Sequence, residues 1–248
     1  MQICEQALRG IIESSGPVKL VIGGPPCEDV ALVNADRTGV KGTKSGLLHI
    51  FFVVLDWLTI LQPEQEVYFL VENTARMAAH NKQYIGRRFG VHDAVAADHI
   101  EFNSLLLGPV SRPRVYWTNL PGAREHMAKL RFGRHHGPYA LKPTLADILD
   151  PGRTTTALFS DCILATGQKG RPVKPKDGGP MEALNPTEVE RLMAAEGYTD
   201  HCNLSTPSAW GCLARAGTCR QLWSCCAHWQ SMCDTSMAWH CNCMTLAT

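Results

Sequence analysis

The sequence predicts an α/β fold built on a parallel β-sheet. Over the first 120 residues, short apolar runs alternate with segments of helical periodicity, which is the pattern of strands joined by crossover helices. The chain of 248 residues is long enough to bury a substantial core, and its hydrophobic content of 45% is ordinary for a globular protein.

The first elements follow from apolar spacing and stop signals. Residues 4–16 have apolar side chains at helical spacing and end at a Gly-Pro pair, and residues 18–23 form a short apolar run that predicts a strand. Residues 47–61 predict a buried helix that ends near Pro63, and residues 67–73 predict a second buried strand with a polar end.

The later elements are predicted in the same way. Residues 81–90 indicate a short helix, and residues 91–100 and 114–120 indicate a third and a fourth strand. Near the end of the body, "LNPTEVERLMAAEGY" predicts an amphipathic helix. Asn185 is expected to cap it, with Glu188 three residues later completing a capping box.

The charge and hydropathy pattern predicts no membrane partner. The formal net charge is +1, no apolar run reaches the ~18 residues that cross a bilayer, and the N-terminus carries no secretory signal pattern. The few cysteines before residue 205 fit a reducing compartment.

The tail, residues 206–248, differs in composition from everything before it. It holds seven of the 11 cysteines and four of the six tryptophans, without helical or strand periodicity. We expect an atypical or disordered segment, of the kind that translation in a wrong frame or through an intron produces. The alternative is a zinc-binding tail, although "CNC" and "CC" lack paired Cys-x-x-Cys spacing. We therefore predict no metal site.

Polar side chains follow two of the predicted strands. Cys27 lies in the loop "GGPPC" after the first strand, and Glu72 ends the second, while Arg112 and Arg114 precede the fourth strand. Functional residues collect beyond the carboxyl ends of parallel strands, and a thiol, a carboxylate and guanidiniums suit covalent catalysis on an electrophilic ring. Taken singly, each has a plainer interpretation as a packing cysteine or a surface charge.

Taken together, these motifs resemble those of the cytosine-C5 DNA methyltransferases, most closely the de novo branch of animals. The resemblance covers roughly residues 3–205 and rests on "GGPPC", on Asn34 seven residues after the cysteine, on Glu72-Asn73, and on "RPRVYWTNLPG". It implies a Rossmann-like fold dependent on S-adenosylmethionine, with a small target-recognition region. It also implies N-terminal truncation, because the family's Phe-x-Gly-x-Gly turn has no counterpart here.

The resemblance also implies roles for single residues. Cys27 would add to carbon 6 of cytosine, Glu72 would hold or protonate ring N3, and Arg114, with Arg112 in the same motif, would orient the base. The glycines before the cysteine would let backbone approach the substrate. Further residues are implied to bind substrate DNA (Pro26, Asn34, Asn73, Lys169 and Arg171) or cofactor (Pro25 and Ile3).

The same resemblance divides the chain into four regions. Residues 1–120 would form a partial catalytic domain, residues 121–184 a target-recognition region, residues 185–205 a returning helix of the catalytic domain, and residues 206–248 the atypical tail.

The expected partner is double-stranded DNA with a cytosine flipped out of the stack, in the nucleus, and the chain is expected to form a homo-oligomer or a hetero-oligomer with a related methyltransferase. Two alternatives remain: a catalytically inactive homologue that binds DNA or activates a partner, and a small-molecule thiol enzyme, which would not explain the basic stretch at residues 167–176.

Overall fold

The computed structural model describes residues 5–32, 34–36, 38–42, 46–133, 143–162, 173–175, 177–193 and 243–246. The helices are α1 (Glu5–Ser15), α2 (Gly46–Leu61), α3 (Ala79–Phe89), α4 (Ala123–Gly133) and α5 (Pro186–Leu192). The strands are β1 (Leu20–Gly23), β2 (Tyr68–Thr74), β3 (Ile100–Asn103), β4 (Val110–Ser111), β5 (Pro113–Thr118), β6 (Arg153–Thr154), β7 (Ser160–Asp161), β8 (Lys174–Pro175) and β9 (Cys243–Leu246). The α/β class is thus confirmed.

The chain divides into two compact units. The first comprises residues 1–102, 113–127 and 228–248, and the second comprises residues 103–112 and 128–227. Helix α5 contributes to the apolar core of the second unit, whereas the sequence assigns it to the catalytic domain. The assignment of the four sequence ranges to functional regions stays a prediction.

The main sheet has the order β3-β5-β2-β1-β9. Strand β1 runs parallel to β2 and to β9, whereas β5 runs antiparallel to β2, so the prediction of a purely parallel sheet is wrong. The link from β3 to β5 contains a 3₁₀ turn, Ser104–Leu106, and the short strand β4 in place of a crossover helix.

Two further differences from the sequence-based expectation concern strands. Residues 94–97 form a 3₁₀ turn, because the Asp93 side chain accepts a hydrogen bond from the Val95 N–H at 2.8 Å, and β3 begins only at Ile100. Strand β9 lies within the tail, in which no strand is expected, and pairs with β1. The rest of the tail lies outside the described residues.

Aromatic side chains fill the core of the first unit. The Phe89 ring stacks on Phe69 at a centroid distance of 4.9 Å and meets Phe52 edge-on at 4.8 Å. Trp117 and Phe51 are also almost fully buried beside this group. Helix α2 presents both Phe51 and Phe52 to this core. In the part of the chain that the structure describes, no helix has the length and apolar character that crossing a bilayer requires.

Candidate active site

The carboxyl ends of β1 and β2 bring the candidate nucleophile and carboxylate to one edge of the sheet. The parallel pairing ends with Gly23 opposite Val71. Beyond that pair, β1 leads into the loop that carries Cys27, and β2 continues through Glu72 to Thr74. The structure therefore places both residues where the sequence predicts functional groups to meet.

Gly23 has a packing role that the sequence does not reveal. A Cβ atom at this position would lie 2.8 Å from the Phe51 ring of α2, closer than carbon atoms pack. The glycine thus allows helix α2 to approach β1, whereas its role in clearance for substrate stays a prediction.

The backbone on either side of Cys27 is held by hydrogen bonds. The Cys27 carbonyl accepts from the N–H groups of Val30 and Ala31 at 3.0 and 2.8 Å. Pro25 is buried, whereas Pro26 and Cys27 are partly exposed, and Cys27 packs against the core of the first unit. The loop therefore presents a half-buried thiol from a fixed turn.

Two asparagines, both predicted to bind substrate, donate to this loop. The Asn73 Nδ2 donates to the Pro25 carbonyl at 3.1 Å, and the Asn34 Nδ2 donates to the Glu28 carbonyl at 2.8 Å. Their substrate contacts stay predictions.

Glu72 and Arg114 form an ion pair between the neighbouring strands β2 and β5. In the antiparallel register, Glu72 faces Tyr116 and Thr74 faces Arg114, so the two charged residues are diagonal neighbours on one face. Glu72 is 6% exposed, and the Arg114 side chain is 13% exposed. The ion pair holds the Glu72 carboxylate in one orientation on β2, which is the neighbour of β1, the strand that leads into the Cys27 loop.

Arg112 belongs to the other unit. It is 4% exposed, its Nη1 donates to the Cys162 Sγ at 3.5 Å, and its backbone N–H donates to the Asn103 Oδ1 at 2.8 Å. The two arginines of the Arg-x-Arg motif therefore belong to different units, Arg112 to the second and Arg114 to the first. The sequence singled out no role for Cys162, since nothing local marks it as a partner of Arg112.

A cluster of charges in the second unit is the other feature that sequence analysis missed. Arg153 contacts Glu182 at 2.6 Å and the fully buried Glu188 at 2.8 Å. Hydrogen bonds from Asn185 and then Arg191 lower the pKa of Asp150 below its usual value. These groups join β6 to the start of α5, where the capping box predicted for Asn185 and Glu188 is present.

Three predicted site residues, Ile3, Lys169 and Arg171, lie outside the described residues. Within the described ranges, no group of three His, Cys, Asp or Glu side chains is arranged to hold a metal ion.

The contact between Pro25 and S-adenosylmethionine stays a prediction. Pro25, the described residue that the sequence assigns to S-adenosylmethionine, is buried, and its carbonyl accepts from Asn73. It offers no side-chain donor or charge to the ribose hydroxyls or the sulfonium of the cofactor.

Comparison with known proteins identifies the fold. No protein-family model matches the chain. A mutant of Spodoptera frugiperda DNMT2 is 16% identical, with a TM-score of 0.55 over 90% of this chain and 82% of that chain. The Entamoeba histolytica methyltransferase EhMeth is 12% identical, with a TM-score of 0.56 over 90% and 80% of the two chains.

The S. pombe Dnmt2 methyltransferase is 14% identical, with a TM-score of 0.52 over 86% of this chain and 77% of that chain. The chain thus has the α/β fold of S-adenosylmethionine-dependent methyltransferases, as the resemblance implies.

Proposed function

We propose that this chain is a DNA cytosine-C5 methyltransferase domain in which Cys27 is the covalent nucleophile. One observation carries the proposal. At the same edge of the sheet, β1 leads into the Cys27 loop and β2 carries Glu72, which forms an ion pair with Arg114. This arrangement lies in a methyltransferase fold, and its motifs occur in the order that the sequence resemblance requires.

The chemistry begins at the thiol. The Cys27 thiolate adds to carbon 6 of cytosine, a C–S bond forms, and the electron pair of the C5–C6 double bond moves toward ring N3. Glu72 is the group proposed to hold a proton at N3, which stabilises the charge that develops there. Carbon 5 is then an enamine carbon that can take up an electrophile; S-adenosylmethionine, when bound, supplies a methyl group. Loss of the C5 proton and departure of the thiolate restore the aromatic ring and the free enzyme.

Arg114 has two tasks in this proposal. In the folded chain it neutralises Glu72, which is buried and would otherwise be an uncompensated charge. With a base present, its guanidinium can also donate to the carbonyl oxygen O2, since a guanidinium carries five N–H donors. In this proposal, Glu72 contacts ring N3 and Arg114 contacts the neighbouring carbonyl oxygen O2 on the same edge of the base.

The proposed substrate is double-stranded DNA, because carbon 6 is reached only when the base leaves the stack. Lys169 and Arg171 are proposed phosphate or guanine contacts on the basic stretch. Nuclear localisation and assembly with a second copy or a related methyltransferase are proposals that follow from this substrate.

Exchange of the cytosine C5 hydrogen tests the nucleophile without a methyl donor. Addition of the thiolate makes carbon 5 basic, so a duplex tritiated at C5 should release tritium to water with the native chain. Release should fall to background with Cys27→Ser and fall sharply with Glu72→Gln. Methyl transfer from labelled S-adenosylmethionine is then measured separately, because the described residues do not account for the cofactor side.

A non-catalytic homologue that binds DNA or activates a partner is the second candidate. The buried Pro25, which offers the cofactor no side-chain donor or charge, favours it. Duplex binding with no tritium release, and no effect of Cys27→Ser on that binding, would establish this alternative.

A further inference from the structure

The carbonyl groups that flank Cys27 are both held by asparagine side chains. Asn73 reaches the Pro25 carbonyl from the end of β2, across 48 residues of sequence. Asn34 reaches back to the Glu28 carbonyl from the far end of the same loop. The two bonds lie two residues before the thiol and one residue after it, so they define the backbone on both sides of it.

Each asparagine is itself fixed by the backbone. The Asn73 Oδ1 accepts from the Thr74 N–H at 2.8 Å, and Asn73 is 3% exposed. The Asn34 Oδ1 accepts from the Asp36 N–H at 3.0 Å. In each asparagine the oxygen accepts a backbone bond that fixes the orientation of the amide, and the nitrogen donates to a carbonyl of the Cys27 loop.

The loop is also attached beyond the asparagines. The Leu32 N–H donates to the Arg76 carbonyl at 2.8 Å, next to a bridge between Ala31 and Met77. The Gly39 N–H donates to the Asp29 carbonyl at 2.7 Å. These backbone contacts hold the loop beyond the thiol, and the Asn73 and Asn34 side chains hold the carbonyls of Pro25 and Glu28.

We infer that Asn73 and Asn34 are positioning residues, which hold the Cys27 loop in its reactive conformation instead of contacting the DNA. The inference rests on the proposed function only in treating Cys27 as a nucleophile. The two hydrogen bonds that hold the loop are present in the folded chain whatever its function. Loss of either bond should leave the substrate surface intact while the thiol moves, and a displacement of about 1 Å at a reacting group can cost about 100-fold in rate.

The test uses isosteric variants and two readouts. Asn73→Asp and Asn34→Asp keep the acceptor oxygen for Thr74 or Asp36 but replace the donor to the loop by a carboxylate oxygen. Asn119→Ala is the matched control. Asn119 also joins two backbone positions, donating to the Val67 carbonyl at 3.0 Å and accepting from the Phe69 N–H at 2.8 Å, at the opposite end of β2.

The first readout is alkylation of Cys27 by iodoacetamide, followed at the Cys27 peptide by mass spectrometry. We expect faster alkylation in both loop variants, because the half-buried thiol becomes more accessible, and an unchanged rate in Asn119→Ala. The second readout is covalent capture, with S-adenosylmethionine added, on a duplex that contains 5-fluorocytosine. We expect capture about 10- to 100-fold slower with an unchanged dissociation constant for the duplex.

The outcomes separate this inference from the proposed function. If the native chain captures no DNA, the proposed function fails, while the alkylation rates still decide whether the asparagines hold the loop. Unchanged alkylation in Asn73→Asp and Asn34→Asp overturns the inference. Weakened duplex binding with native alkylation also overturns it and assigns both residues to substrate contact. If a loop variant does not fold, Asn73→Ala or Asn34→Ala, which removes the donor without adding a charge, replaces it.

Discussion

The Glu72 carboxylate and the Arg114 guanidinium pair diagonally across two antiparallel strands, and both are largely removed from water. A buried ion pair contributes little net stability compared with apolar side chains, but removal of one partner leaves the other as an uncompensated charge. The ion pair therefore matters for both stability and the proposed function, because Arg114 holds the Glu72 carboxylate that is proposed to contact the base.

Replacement of Arg114 by methionine should destabilise the first unit strongly. The Glu72 carboxylate would remain buried without its cation, which costs about 3–5 kcal/mol. The free energy of unfolding, measured by urea denaturation, reports this loss. The double variant Glu72→Gln/Arg114→Met should recover much of it, since no buried charge then remains. A double variant that is less stable than Arg114→Met would show that the two side chains are not coupled as the structure has them.

Gly23→Ala should destabilise the contact between β1 and α2. The added methyl group would lie 2.8 Å from the Phe51 ring, and such overpacking costs about 1–3 kcal/mol. Gly10→Ala is the matched control, because Gly10 is an exposed position in α1 and a Cβ atom there would meet open space. This substitution should stabilise the chain by about 0.5–1 kcal/mol.

The double variant Gly23→Ala/Phe51→Leu separates packing from other effects. A smaller and more flexible side chain at position 51 makes room for the methyl group, so part of the loss from Gly23→Ala should be recovered. Equal thermal midpoints for Gly23→Ala and the native chain would contradict the close approach of α2 to β1.

Asn185→Ala should raise the pKa of Asp150 toward its ordinary value. The Asn185 side chain is the largest cause that lowers this pKa, followed by Arg191. A carboxyl with a lowered pKa in the folded state contributes stability above its ordinary pKa of 3.8 that is lost as the pH falls through the folded pKa. Asn185→Ala should therefore flatten the dependence of unfolding free energy on pH in that acidic window.

Titration of the carboxyl groups by NMR checks this directly. The pKa of Asp147 is lowered by hydrogen bonds from Thr144 and should not change in Asn185→Ala. An unchanged pKa for Asp150 in the variant would show that Asn185 is not its main partner.

The predictable parts of this structure are those that short sequence patterns determine. The cap at Asn185 and Glu188, the buried helix α2 and the strand that leads into the Cys27 loop all rest on neighbours within a few residues. Each of these predictions is confirmed, because local hydrogen bonds and periodic apolar positions decide them.

The parts that sequence analysis did not reach are those decided by distant partners. The antiparallel direction of β5 depends on the link from β3, and β9 is a strand through its pairing with β1. Likewise, the bond from Asn73 to Pro25 and the need for glycine opposite Phe51 exist only once the sheet and α2 are assembled. The chemical type of the candidate site residues was predictable, whereas their contacts within the protein were not.

Covalent capture tests the central claim most directly. The native chain is incubated with S-adenosylmethionine and a duplex that contains a single 5-fluorocytosine, which blocks the loss of the C5 substituent and so preserves the adduct. We predict a protein–DNA species that resists denaturation and maps to Cys27. It should be absent in Cys27→Ser and present in Cys162→Ser, which removes another described thiol. Capture that persists in Cys27→Ser, or its absence with a native chain that binds both the duplex and S-adenosylmethionine, would contradict the assignment of Cys27 as the nucleophile.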